Sequence, residues 1–234
     1  MNGIETLNFT VQSDGSPVAF TPKIVALAGY TSRDQEAVRA HMEELERLGV
    51  ERPASWPVVF AITADRLTTE SSIEVLHGET SGEIEFVIIL TGGKRYMAIA
   101  SDHTDRKNEN LGIGIAKQLV PRVISREVWR WEEVEDHWDE LEIKSHVTVD
   151  GKRTLYQSST TGTFLPVDDI IEFVAGRSKK TLEDAVIFSG TVPTIGGEMG
   201  YASRFEAEMF DPIRDRTLRA DYDVIVNDSI MEVE

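Results

Sequence analysis

The chain has 234 residues, of which 41% are hydrophobic, values typical of a globular protein with a sizeable core. Its formal net charge of -17 repels phosphate backbones and anionic membranes, so nucleic acids and membranes are not expected partners. The absence of cysteine excludes disulfides, thiolate metal sites and thiol nucleophiles. The N-terminal residues lack a signal-peptide pattern, and no apolar run approaches the ~20 residues of a membrane helix, so a cytoplasmic protein is expected.

Hydrophobic periodicity predicts a mixed, β-rich fold with few helices, and no linker divides the chain, so residues 1–234 are expected to form one domain. Helices are predicted over 31–49 and 165–176. Residues 111–120 fit either a helix or a strand, and residues from 125 onward are expected to begin as a short helix or loop. Strands are predicted near 4–12, 23–30, 56–62, 73–76, 82–90, 95–102, 141–149, 152–160, 184–190, 203–211 and 216–226.

Two acids stand one residue apart at the start of an apolar run. Glu83 and Glu85 share one face of the predicted strand because strand side chains alternate with period two. Residues 86–90 are apolar on both faces, which is typical of a strand covered on both sides. Two like charges on a partly dry face repel each other and lose hydration, so they need a partner.

A predicted hairpin supplies a third acid. If Gly92 and Gly93 form a two-residue turn, Glu83 lies opposite Asp102, and Glu85 lies opposite Ala100 on the same face. Three converging carboxylates predict a hard divalent cation, Mg²⁺, Mn²⁺ or Ca²⁺, rather than a basic side chain as their partner. Two alternatives remain at this point: a solvated acidic hairpin, and a register slip by one residue that turns Asp102 to the other face.

The segment "SGEIEFVIIL…SDHTDRK" resembles the fumarylacetoacetate hydrolase superfamily. That family carries E-x-E on a strand and then N-D-x-[ST]-x-R-D, matched here by Glu83, Glu85, Asp102, Thr104 and Arg106. Ser101 stands in place of the usual Asn, and Lys107 in place of the final Asp. Further resemblances follow in order between about residues 23 and 226: "VALAGYTSRDQEAVRAH", "RPASWPVVFAI", "AKQLVPR", "DAVIFSGTVPTIGG" and "SRFEAEMFDPIRDRTLRADYDV".

The resemblance implies a fumarylacetoacetase C-terminal-like fold, in which mixed sheets form a rolled, sandwich-like structure, and commonly a homodimer. It implies a divalent cation held by Glu83, Glu85 and Asp102 and a small oxo-acid substrate. Members hydrolyse C–C bonds, decarboxylate, hydrate or isomerise such acids, and the shared step is formation of a metal-bound enolate.

The other candidate site residues are His41, Glu44, Lys117, Thr191, Thr104 and Arg106. His41 and Glu44 are neighbours at i and i+3 on the predicted helix, and related hydrolases use such a dyad to activate water. An ordinary amphipathic helix with a histidine at its border is the other interpretation.

Lys117 lies in an apolar segment near the position of the family's active-site lysine, where it is expected to bind a substrate carboxylate or a developing enolate. Backbone N–H groups around Thr191 fit a carboxylate cradle. Thr104 and Arg106 are expected to bind substrate or support the ligands, and Arg106 fits a buried glutamate or a substrate anion equally well. A solvated lysine and a simple turn are the structural alternatives for Lys117 and Thr191.

The remaining histidines and tryptophans carry weaker signals. His103 is expected to face away from the carboxylates if the strand continues, and His137 to lie on a solvated acidic face. His77 and His146 have no evident partner. Trp129, Trp131 and Trp138 fit core or dimer contacts better than a cofactor platform.

The leading interpretation is a metal-dependent hydrolase that cleaves a C–C bond in an acylpyruvate-like acid. The same site also fits a decarboxylase, hydratase or dehydratase acting on a related 2-oxo acid. A third interpretation is a catalytically silent binding protein, which the replacements at Ser101 and Lys107 favour.

Overall fold

A computed structural model describes residues 5–36, 38–39, 42–43 and 55–229. Within these residues strands predominate, and their bounds are β1 Leu7–Val11, β2 Pro17–Phe20, β3 Ile24–Gly29, β4 Val58–Ala61, β5 Leu67–Thr68, β6 Ser72–Val75, β7 Thr80–Ser81, β8 Ile84–Thr91, β9 Lys94–Ser101, β10 Thr104–Asp105, β11 Arg122–Ile124, β12 Glu127–Arg130, β13 Glu142–Val149, β14 Lys152–Thr160, β15 Ala185–Phe188, β16 Arg204–Asp211 and β17 Arg216–Val226. The predicted β-rich fold is confirmed.

Two α-helices have bounds within the described residues, α1 Ile113–Leu119 and α2 Val167–Ala175. The predicted helix over 165–176 is therefore confirmed, and the segment 111–120 is helical. Of the helix predicted over 31–49, residues 35–36, 38–39 and 42–43 are helical, and most of the remainder lies outside the described residues. Short 3₁₀ turns are Ala64–Arg66, Glu109–Leu111, Trp131–Glu133, Glu135–Glu140 and Thr161–Thr163. No helix in the described ranges has the length and apolar character to cross a membrane.

The strands form two large mixed sheets and one small pair. The larger sheet has the order β2-β1-β12-β9-β8-β15-β3-β4, with β11 joined to β9 and β5 joined to β11. The second has the order β14-β13-β16-β17-β6, and β10 pairs with β7 alone. β8 and β9 lie in the middle of the larger sheet, and this position puts the residues at their ends well inside the molecule.

β8 separates two hydrophobic clusters because its side chains alternate between the faces of the sheet. Phe86 and Ile88 lie in the cluster that includes the second sheet, whereas Val87 and Ile89 lie in the cluster on the opposite face. All four side chains are fully buried. The predicted burial of β8 on both faces is confirmed, and it leaves no polar face on this strand where an acid could reach solvent.

The segment after residue 125 departs from its prediction. Residues 127–130 form β12, where a short helix or loop was expected, because β12 pairs with both β1 and β9. Val128 and Trp129 are fully buried there, so pairing inside the sheet outweighs the helical tendency of the acidic residues that follow.

His137 was expected on a solvated face, and this prediction is wrong. The ring is buried, with Nδ1 2.8 Å from Oδ1 of Asp136 and Nε2 3.0 Å from Oδ1 of Asp211. Trp129 and Trp138 are core residues, as expected. His77, which has no evident sequence partner, lies 3.1 Å from Oδ2 of the buried Asp105.

Candidate metal centre and its cationic surround

The β8–β9 hairpin places the three acids together. Gly92 and Gly93 both adopt positive φ, 58° and 68°, as the two-residue turn requires. Glu85 lies opposite Ala100 in the ladder, and the last ladder pair is Ile84 with Ser101. This is the predicted register.

One oxygen from each of Glu83, Glu85 and Asp102 lies within 4.8 Å of the others, so these acids could hold a metal ion. Glu85 is 2% exposed and Asp102 is 1% exposed, which excludes a solvated acidic hairpin. A set of three carboxylates contains only hard oxygen donors, and it fits Mg²⁺, Mn²⁺ or Ca²⁺ rather than a soft cation. It leaves further coordination positions for water or substrate.

Basic side chains also contact the acids, whereas a divalent cation rather than a basic side chain was expected to neutralise them. Lys117 reaches in from α1, where its Nζ contacts Oδ2 of Asp102 and lies 3.3 Å from Oε2 of Glu83. Lys117 therefore lies beside the proposed ligands, and its side chain is not solvated. Its ammonium group lies where oxygens of two of the proposed ligands converge.

Arg106 holds Glu83 from the other side. Its Nη2 donates to Oε1 of Glu83 over 2.7 Å, and its Nη1 donates to Oε1 of Glu109 over 2.9 Å. Its Nε donates to Oγ of Ser81 over 2.7 Å. Of the two predicted uses of Arg106, the structure shows the pairing with a buried glutamate.

Arg122 is a site residue that the sequence did not indicate. Its side chain is 0% exposed, and its Nε donates to Oδ1 of Asp102 over 2.6 Å. β11 pairs with β9 so that Val123 lies opposite Ser101, and the same register puts Arg122 beside Asp102. An arginine inside the apolar run "LVPRVI" was the available signal, but its partner depends on a strand order that the sequence does not reveal.

Glu85 has a backbone partner instead of a basic one. The N–H of Gly190 donates to Oε2 of Glu85 over 2.8 Å. Gly190 has φ of 87°, and a Cβ there would lie 2.9 Å from Oγ1 of Thr31, so both the conformation and the space require glycine. The segment expected to cradle a substrate carboxylate thus uses this N–H to bind a protein carboxylate.

The surroundings drive the pKa values of the two glutamates apart. Burial raises the pKa of Glu85 well above its usual range, and the charges of Asp102 and Glu83 raise it further. Burial acts in the same direction on Glu83, but Arg106 and Lys117 outweigh it and lower the pKa of Glu83 to about 2. Burial lowers the pKa of Lys117, yet Asp102 and Glu83 produce a net rise, so the lysine stays charged.

The two threonines already have partners in the protein. Thr104 is fully buried, and its hydroxyl donates to the carbonyl oxygen of Asp102 over 3.2 Å. Thr191 is exposed; its Oγ1 donates to the carbonyl of Ile84 over 2.8 Å and accepts from Nε2 of Gln157 over 2.9 Å. Both threonines therefore brace the backbone beside the acids.

His41 and Glu44 lie outside the described residues, and their dyad stays a prediction. The strand ends before His103, whose Nδ1 lies 2.8 Å from the hydroxyl of Tyr222 and whose Nε2 lies 2.9 Å from Oγ1 of Thr80. Burial and the charges of Arg106 and Arg122 lower the pKa of His103 to about 3.

Tyr30 is a second residue near the site that the sequence did not single out. It has φ of 58°, an unusual value for a bulky side chain. Burial raises the pKa of its phenol, Glu109 raises it further and Lys117 lowers it, which places the ring within electrostatic reach of the site.

A family model described as "Protein of unknown function (DUF2848)" matches residues 28–222. The chain belongs to the DUF2848 family. No protein with a curated description matches its sequence.

Solved structures give this DUF2848 protein a known fold. Fumarylpyruvate hydrolase from Pseudomonas aeruginosa, in complex with Mn²⁺ and pyruvate, is 16% identical with a TM-score of 0.66, and the match covers 97% of this chain and 99% of that one. The yeast protein ynq8, a fumarylacetoacetate hydrolase family protein, is 14% identical with a TM-score of 0.63 and coverage of 91% and 97%. A 2-keto-3-deoxy-D-arabinonate dehydratase with magnesium and 2,5-dioxopentanoate is 17% identical with a TM-score of 0.64 and coverage of 88% and 74%. The fold implied by the sequence resemblance is confirmed.

Proposed function

We propose that this DUF2848 protein is a divalent-metal-dependent enzyme that acts on a small oxo-carboxylic acid. The observation that carries the proposal is the buried convergence of Glu83, Glu85 and Asp102, each offering an oxygen to one point. Two solved structures of the same fold contain Mn²⁺ with pyruvate and magnesium with 2,5-dioxopentanoate, and these ligands support the assignment. The leading reaction is hydrolysis of a C–C bond in an acylpyruvate-like acid.

The charge of the site supports an anionic substrate. With every group ionised, the four acids Glu83, Glu85, Asp102 and Glu109 and the three bases Lys117, Arg106 and Arg122 carry one excess negative charge. A bound divalent cation would change this to one excess positive charge. Such a site attracts a carboxylate, and burial strengthens the attraction because little water screens it.

The cation, when bound, would supply Lewis acidity toward the oxo and carboxylate oxygens of the substrate. Lys117 would bind the substrate carboxylate or stabilise a developing oxyanion through Nζ, once that atom leaves Asp102. Arg106 would keep Glu83 ionised, and Thr191 would brace the loop that borders the substrate. His41, oriented by Glu44, would take a proton from the water that adds to the distal carbonyl. The C–C bond would then break to give a carboxylic acid and an enolate, which the proton held by His41 would convert to the second oxo acid.

Ser101 and Lys107, the two positions that differ from the family motif, do not disturb the three acids. This favours an enzyme over a catalytically silent binding protein. Ser101 is buried and accepts a hydrogen bond from the hydroxyl of Tyr222 over 2.7 Å, while Lys107 is exposed. Ser101 therefore has its own structural partner, and all three proposed ligands remain together.

The first test is metal binding by thermal shift after removal of metals with a chelator. Mg²⁺ or Mn²⁺ should raise the Tm of wild type and of the control Glu79→Gln, an exposed acid, but not of Glu83→Gln. A second test follows the ultraviolet absorbance of acylpyruvates, with product analysis to separate C–C hydrolysis from decarboxylation, hydration or dehydration. Metal binding without turnover of any oxo-acid would instead favour the silent binding protein.

The dyad and the oligomeric state need separate measurements. His41→Ala should abolish hydrolysis while the metal-induced rise in Tm persists, and unchanged turnover would remove His41 as the base. The homodimer is also part of the proposal, and light scattering during gel filtration tests it directly.

A further inference from the structure

Each of the three acids has one carboxylate oxygen bound by a donor from the protein. Oε1 of Glu83 accepts from Arg106 over 2.7 Å, and Oε2 of Glu85 accepts from the N–H of Gly190 over 2.8 Å. Oδ1 of Asp102 accepts from Arg122 over 2.6 Å. Lys117 contacts the second oxygen of two of these acids, Oε2 of Glu83 and Oδ2 of Asp102, and a cation bound there would take the place of its ammonium group.

We propose that Arg122 determines which cation this site selects, because it limits Asp102 to one ligating oxygen. Arg106 and Gly190 act in the same way on Glu83 and Glu85. The site then selects a small cation with octahedral coordination, Mg²⁺ or Mn²⁺, over Ca²⁺. This inference rests on the proposed metal site and concerns its selectivity.

The selectivity follows from how the cations use carboxylates. Ca²⁺ takes six to eight oxygens at about 2.3–2.6 Å and readily binds both oxygens of one carboxylate. Mg²⁺ requires near-octahedral geometry at about 2.0–2.1 Å and takes one oxygen from each carboxylate, with water in the other positions. Three acids that each offer one oxygen therefore meet the needs of Mg²⁺ and fall short of those of Ca²⁺.

Arg122 is suited to this role by the way it binds. An arginine commonly grips a carboxylate with two parallel hydrogen bonds, which would occupy both oxygens. Here Nε alone binds Asp102, while Nη1 donates to the carbonyl oxygen of Val120 over 2.9 Å. The guanidinium is thus turned so that it binds Oδ1 and leaves Oδ2 to Lys117.

Burial keeps Arg122 bound to Oδ1 of Asp102. The side chain of Arg122 is 0% exposed and that of Asp102 is 1% exposed, so water cannot readily replace the arginine. A guanidinium does not give up its proton, so Arg122 remains a charged donor. Nη2 of Arg122 has no hydrogen-bond partner in the described structure, so two bonds hold the group in place.

The experiment measures Mg²⁺, Mn²⁺ and Ca²⁺ binding by calorimetry on chelator-treated wild type, Arg122→Gln and Arg122→Lys. Arg126→Gln is the matched control, because Arg126 lies four residues further on and its side chain is 65% exposed. Arg122→Gln should weaken Mg²⁺ binding by about 10–100-fold, while Ca²⁺ binding changes far less because Asp102 can now offer both oxygens. The ratio of the Ca²⁺ Kd to the Mg²⁺ Kd should therefore be lower in Arg122→Gln than in wild type. Arg122→Lys should restore part of the ratio, and Arg126→Gln should have the wild-type ratio.

A purely structural role for Arg122 would lower the affinities for Mg²⁺ and Ca²⁺ by the same factor, and that result would overturn the inference. If circular dichroism shows that Arg122→Gln does not fold, Arg106→Gln carries the test at Glu83, with the same expected fall in the ratio. An unchanged ratio in Arg106→Gln would then overturn the inference. Absence of binding to wild type would overturn the proposed metal site itself, and so the two failures are distinguishable.

Discussion

The backbone N–H of Asp102 donates to the carbonyl oxygen of Glu83 over 2.9 Å, one pair beyond the last ladder pair of the hairpin. The backbones of the two outer proposed ligands, Glu83 and Asp102, are thus hydrogen-bonded directly, and their separation does not depend on side-chain packing alone. A site fixed in this way already has its acids close together before a cation arrives, at the expense of repulsion among buried charges. Glu85, in the middle, shows that repulsion most strongly.

Glu85→Gln should have opposite effects on stability with and without metal. The pKa of Glu85 is raised in the folded protein, so the carboxyl favours folding below its unfolded pKa and loses that contribution as pH rises. Gln stays neutral, and at pH 8 the metal-free variant should melt roughly 2–4 °C above wild type, with a smaller difference near pH 5.

The same variant should show little rise in Tm with Mg²⁺. Glu74→Gln, an exposed acid on β6, is the control and should behave as wild type at both pH values. A variant that melts below metal-free wild type at pH 8 would contradict the repulsion argument. Scanning calorimetry with and without chelator makes both measurements.

Lys117→Met should make folding depend on metal. The ammonium group contacts both Glu83 and Asp102, and its loss leaves the buried acids with one positive charge fewer, at a cost of about 3–5 kcal/mol. A divalent cation restores that balance, so the rise in Tm on adding Mg²⁺ should exceed that of wild type.

Lys94→Met is the matched control, because Lys94 is exposed beside the hairpin turn. It should change neither the metal-free Tm nor the response to Mg²⁺. If Lys117→Met instead lost the response to metal, Lys117 would be required to build the site and not merely to balance its charge.

Gly190→Ala should weaken metal binding through Glu85. A Cβ at Gly190 would lie 2.9 Å from Oγ1 of Thr31 and 3.1 Å from the carbonyl oxygen of Ala28, so the loop must shift and carry its N–H away from Glu85. Gly197→Ala is the control: Gly197 also has positive φ, 74°, but a Cβ there would meet nothing within 4 Å.

Both variants place alanine at a positive φ, which lowers the free energy of unfolding. Only Gly190→Ala also crowds its neighbours, at a further cost of about 1–3 kcal/mol. The free energy of unfolding from urea titration, together with the Mg²⁺ Kd, separates the two variants. Equal effects of the two substitutions would show that backbone conformation alone matters at Gly190.

His137→Ala should destabilise the fold without affecting the metal site. The imidazole lies 3.0 Å from Oδ1 of Asp211, a carboxylate with 0% exposure that also accepts from Nε of Arg216 over 3.1 Å. Removing one partner of this buried acid should cost about 1–3 kcal/mol. His146→Ala, at a half-buried position on β13, should cost less, and metal affinity measured by calorimetry should be unchanged in both.

The hydrophobic pattern of the sequence predicted strands correctly where the pattern follows from burial of the strand. β8, β9, β16 and β17 were predicted because alternation or continuous apolar runs follow from packing against one or two covered faces. It failed at β12, where the pairing partners β1 and β9 lie far away in the sequence, and at His137, whose acidic neighbours concealed its burial. Contacts between residues far apart in the sequence leave no trace in the hydrophobic pattern of a short segment. The wrong predictions at β12 and His137 therefore could not be avoided from that pattern.

The site shows the same limit. The hairpin register brought Glu83 and Glu85 to Asp102 because all three lie on two adjacent strands joined by a tight turn. Arg122 and Gly190 reach the acids through β11 and β15, whose places in the sheet depend on long-range order. The sequence thus predicted the proposed ligands, but it did not predict the groups that hold two of them.

The interlocking of these strands has a consequence during synthesis. The three acids are translated by residue 102, whereas Arg122 and then Gly190 come later in the chain, and β15 is the strand that joins β8 to β3. A nascent chain that ends before residue 190 holds its carboxylates without their final donor. The chain must therefore reach residue 190 before each of the three acids has its donor, and fragments that end earlier should bind the proposed cation more weakly.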